Sequence, residues 1–115
     1  MYDVIPYPEN DRALINDFID DIKKSGNDKV YKDLRKYLKK LSEHGFYMNT
    51  KFKTKSIRKI EKDMYELRPD NFRILFTSKA DVFYILNGFL KTTQKTPKAE
   101  KDKARKYIKE IHKQL

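Results

Sequence analysis

The sequence contains no cysteine and only two histidines, His44 and His112, among its 115 residues. Without thiols the chain can form neither a disulfide framework nor a thiolate metal site. Two histidines are too few for a zinc site built from histidine alone. A mixed histidine–carboxylate site stays open, although no ligand spacing indicates one. We therefore expect chemistry that uses no metal and no cofactor.

Long apolar runs are also missing. No stretch approaches the roughly 20 apolar residues that a membrane-spanning helix needs, and residues 1–6 lack the basic and apolar regions of a secretory signal. These absences predict a cytoplasmic protein with no membrane partner. The chain shows no internal repeat and no linker, so its length predicts one domain over residues 1–115.

Positive charge is what the sequence has in excess. Lysine and arginine total 27 against 17 for aspartate and glutamate, which gives a formal net charge of +10. Such an excess favours a polyanionic partner, namely nucleic acid, an acidic membrane surface or an acidic protein. The first 30 residues are slightly acidic, whereas residues 51–62 and 91–115 are strongly basic. The positive field should therefore come from the middle and the C-terminal end.

The first half of the chain predicts a short strand at residues 2–7 and then two amphipathic helices. Apolar residues recur at helical spacing from Leu14 to Ile22 and again from Val30 to Leu41. The predicted caps and ends are Asn10 or Asp11, then Gly26, Asp28 and Gly45. Because the connection between the two helices is short, we expect a helical hairpin.

The second half predicts three strand-like runs, at residues 59–68, 72–77 and 82–89, separated by turn-forming stretches at 69–71 and 78–81. Residues 46–56 fit neither period and are expected to be a loop or a ragged lead-in to a strand. A last helix is predicted with Thr96 as its cap and Pro97 in its first position, with an apolar face that reaches Leu115. The order predicts an α+β domain in which an N-terminal strand and a helical hairpin pack on a mainly antiparallel sheet, followed by a C-terminal helix.

A two-residue turn at Asp70 and Asn71 would place Arg68 opposite Arg73. Alternation would then put one apolar set on the face that covers the helices: Tyr65, Leu67, Phe72, Ile74 and Phe76. The other face, which we expect to be open, would carry Met64, Glu66, Arg68, Arg73 and Leu75. Like charges directly opposite each other destabilise a sheet. A polyanion bound across that face is one explanation for the arginines, and surface pairing with Glu66 or simple solvation is the other.

Three motifs occur in order: Tyr-Glu-Leu-Arg at residues 65–68, Phe-Arg-Ile-Leu-Phe at 72–76, and Gly-Phe-Leu-Lys-Thr-Thr-Gln-Lys-Thr-Pro at 88–97. In order and spacing they resemble the HigB-like, phage-derived branch of the RelE/ParE toxin superfamily, and the resemblance covers nearly the whole chain. It implies a RelE-like fold and a type II toxin that cleaves mRNA on the ribosome. It also implies a helix-turn-helix, HigA-like antitoxin as partner, with DNA contacted only through that antitoxin.

The resemblance also suggests roles for individual residues. Arg73 matches the strand arginine that family members use at the scissile phosphate, and Arg68 matches the basic residue that ends the preceding strand. Lys91 and Lys95 match the basic positions before the last helix, while Thr92 stands where the family often has a second lysine. The histidines or C-terminal tyrosine that some relatives use for proton transfer have no clear equivalent here.

Cleavage of RNA by its own 2′-OH requires a base, stabilisation of the transition-state charge and a proton for the leaving oxygen. Arginine suits the second role because guanidinium offers a planar fork of donors and keeps its charge. Proton transfer could fall to Glu66, Tyr65, Tyr84 or a lysine, although an ion pair is the alternative role for Glu66 and a core position the alternative for the tyrosines. The predicted catalytic residues are Arg73, Arg68, Lys91 and Glu66, and the predicted RNA-binding residues are Lys95, Tyr84, Phe89, Lys55 and Lys98.

Three other functions compete with this interpretation. A gyrase poison of the ParE type would share the fold without cutting RNA. A non-catalytic basic module would bind nucleic acid with strong salt dependence and give no cleavage products. A membrane-surface protein would use the C-terminal helix, but that helix lacks the large apolar face such binding needs.

Overall fold

The computed structural model describes residues 1–10, 12–69, 72–91 and 95–113. Its strands are β1 (Asp3–Pro6), β2 (Ile57–Glu61), β3 (Met64–Leu67), β4 (Phe72–Lys79) and β5 (Val82–Leu90). They form one sheet in the order β1-β5-β4-β3-β2, in which β1 runs parallel to β5 and the other neighbours are antiparallel. The predicted α+β domain with a mainly antiparallel sheet is confirmed.

Helices cover both faces of this sheet. They are α1 (Leu14–Lys24), α2 (Asp28–His44), the four-residue α3 (Met48–Lys51) and α4 (Lys98–Lys113). The apolar stripes of α1 and α2 pack on one face, around Leu67, Ile74 and Phe76, and we call this the hairpin-side core. On the other face Ala104, Ile108 and Ile111 of α4 pack against Met64, Leu75 and Leu86, and we call this the α4-side core.

The helix ends differ from prediction at two caps. Ala13 precedes α1 without a side-chain cap, because Asn10 accepts the backbone N–H of Arg12 and closes a turn before the helix begins. Asp11 lies outside the described residues. Asn27 caps α2 instead of Asp28, since its Oδ1 accepts the N–H of Val30 at 3.2 Å. Gly26 and Gly45 adopt the predicted left-handed conformation, with φ of 72° and 57°.

The predicted strand at residues 59–68 is wrong, because that run is the hairpin of β2 and β3. Its turn is Lys62-Asp63, and Asp63 takes a left-handed φ of 61°, which aspartate tolerates better than most residues. The predicted loop at 46–56 is also wrong, since it contains a 3₁₀ turn (Gly45–Tyr47) followed by α3. The Asn49 amide holds this helical segment to β2 by two 2.9 Å hydrogen bonds with the backbone of Ile57.

The register of β3 on β4 is as predicted, with Leu67 opposite Ile74 and Tyr65 opposite Phe76. The turn residues Asp70 and Asn71 lie outside the described residues, as do Thr92 and Leu115. Two register shifts then alter which residues face each other elsewhere in the sheet. A shift within β2 brings Arg58 opposite Glu66, and a shift between β4 and β5 brings Phe89 opposite Arg73. These shifts determine the neighbours of the candidate site.

Candidate nucleic-acid interface

The sheet face that carries Glu66 and Arg73 is covered, which corrects the expectation of an open face. Glu66 is 3% exposed and Arg73 is 7% exposed. Strand alternation puts Met64 and Leu75 on the same face as Glu66 and Arg73. Met64 and Leu75 pack against the apolar side of α4, and α4 therefore covers this face. The two charged side chains are enclosed beside this apolar contact.

Glu66 stands at the centre of a group that we call the Glu66 cluster, formed with Arg68, Arg73 and Thr96. Its Oε1 lies 3.4 Å from Arg68 Nε and 3.8 Å from Arg73 Nε. The Thr96 hydroxyl donates to Oε2 at 2.7 Å. The helix α4 begins at Lys98, one residue after the predicted start at Pro97, and the Pro97 carbonyl accepts the N–H of Lys101.

The backbone orients Arg73. Its Nη1 donates to the carbonyl oxygens of Pro69 and Phe72, the latter at 2.8 Å. A buried charge is tolerated when it is paired and hydrogen-bonded, and Glu66 together with these carbonyls meets that condition. Arg73 is thus held by the strand end from which it projects.

Arg68 is the more accessible of the two arginines. Its side chain is 27% exposed against 9% for Arg73. Its Nε is buried and has no hydrogen-bond partner among the described residues, although the Glu66 carboxylate lies within ion-pair distance. The exposed part of this side chain carries the charge of the Glu66 cluster to the surface.

A cleft of about 230 Å³ opens next to the Glu66 cluster, and we call it the basic cleft. Its lining residues are Arg58, Ile60, Lys95, Thr96 and Lys101. Thr96 joins the two sites, because it lines the cleft and also hydrogen-bonds Glu66. Three cations from three parts of the chain therefore surround one opening, which is the arrangement expected for a phosphate-binding surface.

Sequence reasoning found Lys95 but missed Arg58 and Lys101. Arg58 was missed because residues 59–68 were predicted to form one strand, which left it outside the sheet. The available signal was Lys62-Asp63, which is a turn sequence between two apolar–polar alternations. Lys101 carries no such signal, since it is one lysine among many on α4.

The other predicted site residues are scattered. Phe89 lies opposite Arg73 and packs, half-buried, on the α4-side core. Tyr84 is opposite Thr77, four residues along β4 from Arg73, so it does not reach the Glu66 cluster. Lys98 pairs with Asp102 at 2.8 Å. Lys55 and Lys91 are exposed.

Neither histidine nor Tyr65 joins the site. His112 Nε2 lies 2.8 Å from Thr77 Oγ1, and the His44 ring contacts Phe52. Tyr65 stacks on Phe76 in the hairpin-side core, as its predicted face requires. In the described ranges, no three histidine, aspartate or glutamate side chains gather as metal ligands, and no helix is long and apolar enough to cross a membrane.

An ion pair ties α4 to the edge of the sheet. Arg105 donates from Nε and Nη2 to the two carboxylate oxygens of Glu61, at 2.8 and 2.7 Å. This hydrogen bonding lowers the pKa of Glu61, although partial burial opposes the shift. Lys101 adds to the lowering through its charge. The pair fixes α4 beside β2, from which Arg58 enters the basic cleft.

Comparison with protein families supports the similarity that the motifs suggested. The family model described as Phage derived protein Gp49-like (DUF891) matches residues 20–109, which include the Glu66 cluster and the basic cleft. A search of curated proteins found no match to the chain. The family falls broadly within the RelE/HigB-type toxin group. Because the match spans well over half of the sequence, this chain belongs to the Gp49-like family of phage-derived proteins.

Proposed function

We propose that this protein is the toxin of a type II toxin–antitoxin pair and that it inhibits translation by cutting mRNA. One observation carries the proposal: cations from β2, from the segment before α4 and from α4 line an opening next to a buried Glu66–Arg73 pair, and Arg68 stands beside that pair. The family and the +10 charge agree with it. The partners would be mRNA, the ribosome and a helix-turn-helix antitoxin.

The two arginines would have different roles. Arg68, the more exposed, would contact the scissile phosphate and stabilise the charge that develops on it during attack by the 2′-OH. Arg73 would position Glu66 through their ion pair, and through Glu66 it would position Arg68. It can do so because its own guanidinium is held by backbone carbonyls. Glu66 is buried and accepts a hydrogen bond from the Thr96 hydroxyl. Its main role would be to hold Arg68 in place.

The basic cleft would hold the RNA on either side of the cut. Arg58, Lys95 and Lys101 line it and would contact phosphates of a single strand. Lys91, which follows the end of β5, would add to the positive electrostatic potential at the cleft. Such contacts contribute affinity and register without reading sequence.

The test is induction of the protein in bacteria with mapping of cellular mRNA 5′ ends within minutes. Arg68→Ala is the informative variant, because Arg73→Ala would also remove donors to two backbone carbonyls and could disturb the fold. We expect new ends inside translated frames for the natural chain and roughly 10²- to 10³-fold less cleavage for Arg68→Ala. Arg35→Ala, which removes an equal charge from the exposed side of α2, is the matched control and should cleave normally.

Each result decides between the competing functions. Full cleavage by a folded Arg68→Ala variant would reject this site. Growth arrest without new mRNA ends would favour a gyrase poison of the same fold. If the cells show neither growth arrest nor mRNA cleavage, a non-catalytic basic module that binds nucleic acid is the remaining function.

A further inference from the structure

Aromatic side chains are concentrated on the surface of the segment that joins α2 to β2. Five large apolar side chains are exposed in the described part of the chain, and three of them are Phe46 at 43%, Tyr47 at 61% and Phe52 at 38%. Only Phe46 is anchored in the hairpin-side core, through a 4.7 Å ring contact with Tyr65. Exposed aromatic rings that cluster in this way indicate a binding surface.

Cations alternate with these rings. Lys40 Nζ lies 4.4 Å from the Phe52 ring centre and 5.2 Å from that of Tyr37, and Lys36 Nζ lies 5.8 Å from Tyr37 on the other side. Cation–π contacts of this kind hold Lys40 against the rings of Tyr37 and Phe52. His44 extends the group, because its ring contacts Phe52 and it lines a shallow cleft together with Tyr47. We call this group the basic aromatic surface and define it by Lys36, Tyr37, Lys40, His44, Tyr47 and Phe52.

The charge of this part of the chain is mainly positive. Residues 36–55 contain six lysines and a single acid, Glu43. The lysines are Lys36, Lys39, Lys40, Lys51, Lys53 and Lys55. A partner seated here must therefore supply negative charge together with flat apolar groups. Single-stranded RNA supplies both, as phosphates and as unpaired bases that stack on aromatic side chains.

We propose that the basic aromatic surface binds single-stranded RNA, with Phe52 and Tyr47 stacking on bases and Lys40 and its neighbours contacting phosphates. The surface lies on the hairpin side of the sheet, whereas the basic cleft lies on the α4 side. The inference extends the proposed function, since it adds a holding site on the opposite side of the sheet from the basic cleft, but it does not require cleavage.

The experiment measures binding of the full chain to a fluorescein-labelled 12-nucleotide oligouridine in which every 2′-OH is methylated. Methylation prevents attack by the 2′ oxygen, so binding is read by anisotropy whether or not the protein is a nuclease. The variants are Tyr47→Leu with Phe52→Leu, and Tyr47→Trp with Phe52→Trp. Lys40→Gln is compared with Lys24→Gln, which removes the same charge from the end of α1.

We expect the leucine pair to weaken binding roughly tenfold or more, because leucine keeps apolar area but cannot stack, while the tryptophan pair binds at least as well as the natural chain. Lys40→Gln should lower the slope of log affinity against log salt by about 0.7, and Lys24→Gln should leave it unchanged. Circular dichroism verifies that the variants fold.

Three outcomes overturn the proposal: no binding by the natural chain at 50 mM salt, unchanged binding by the leucine pair, or equal salt effects of the two lysine variants. The second of these would mean that the rings of Tyr47 and Phe52 do not stack on RNA. A negative result in the mRNA cleavage test would not affect this binding measurement, because the methylated oligonucleotide reports binding alone.

Discussion

The two faces of the sheet are made by the same strands but bury different groups. Toward α1 and α2 the buried side chains of the strands are all apolar, and the hairpin-side core is continuous and rich in aromatic contacts. Toward α4 a smaller apolar core is bordered by buried polar and charged groups, which include Glu66, Arg73, Thr77 and Asn87.

This difference between the two faces indicates that the hairpin side mainly stabilises the fold, whereas the charged groups on the α4 side mainly serve binding. Burial of apolar area is the main favourable term in folding, and the hairpin side supplies most of it. Buried ion pairs contribute little net stability, because desolvation of the charges offsets their attraction. The charges on the α4 side therefore call for an explanation outside stability, and the adjacent basic cleft supplies one.

The largest expected effect comes from the hairpin side. Phe76→Ala should lower the free energy of unfolding by about 3–5 kcal/mol, because it removes a fully buried ring from contacts with Phe46, Tyr65 and Phe83. Urea denaturation measures the loss. Phe89→Ala makes the same deletion at a half-buried site on the α4 side and should cost less. If Phe89→Ala costs as much as Phe76→Ala, the two cores contribute equally and the comparison fails.

An intermediate effect is expected at the Glu66 cluster. Glu66→Gln keeps the shape of the side chain but removes the charge between Arg68 and Arg73, and should lower the free energy of unfolding by about 1–3 kcal/mol. Glu9→Gln removes an equal charge from an exposed position and should change stability by less than about 0.5 kcal/mol. Equal denaturation midpoints for the two variants would mean that the buried carboxylate does not hold the arginines.

The smallest effect concerns the Glu61–Arg105 pair and depends on pH. The pKa of Glu61 is lowered in the folded state by its hydrogen bonds with Arg105, so the pair stabilises the fold fully above the ordinary glutamate pKa. That contribution is lost as pH falls through the lowered pKa. The urea midpoints of the natural chain and Glu61→Gln should therefore differ at pH 7 and pH 5 and converge as the pH falls further, through the lowered pKa of Glu61. A difference that grows in acid would contradict this assignment.

The sequence predicted the parts of the fold that follow from local periodicity. Helical spacing located α1, α2 and α4, and strand alternation predicted which face of β3 and β4 carries Tyr65 and Phe76. The motif similarity predicted a phage-derived family of the RelE/HigB-type group broadly, although not the HigB-like branch as such. The site was only partly predictable, since Arg68, Arg73, Glu66 and Lys95 were named but Arg58, Lys101 and the Thr96 hydroxyl bond to Glu66 were not.

What the sequence by itself determined is which side chains share a face, because alternation within a strand is fixed by backbone geometry. The tertiary structure decided which residues stand opposite each other and what covers them. One extra residue in β2 and another in β5 shift every later pairing by one, so Arg58 meets Glu66 and Phe89 meets Arg73. No local sequence pattern marks the extra residue in β2 or the one in β5. Likewise the burial of the Glu66–Arg73 pair depends on the packing of the apolar face of α4 against the sheet, which is a contact between distant parts of the chain.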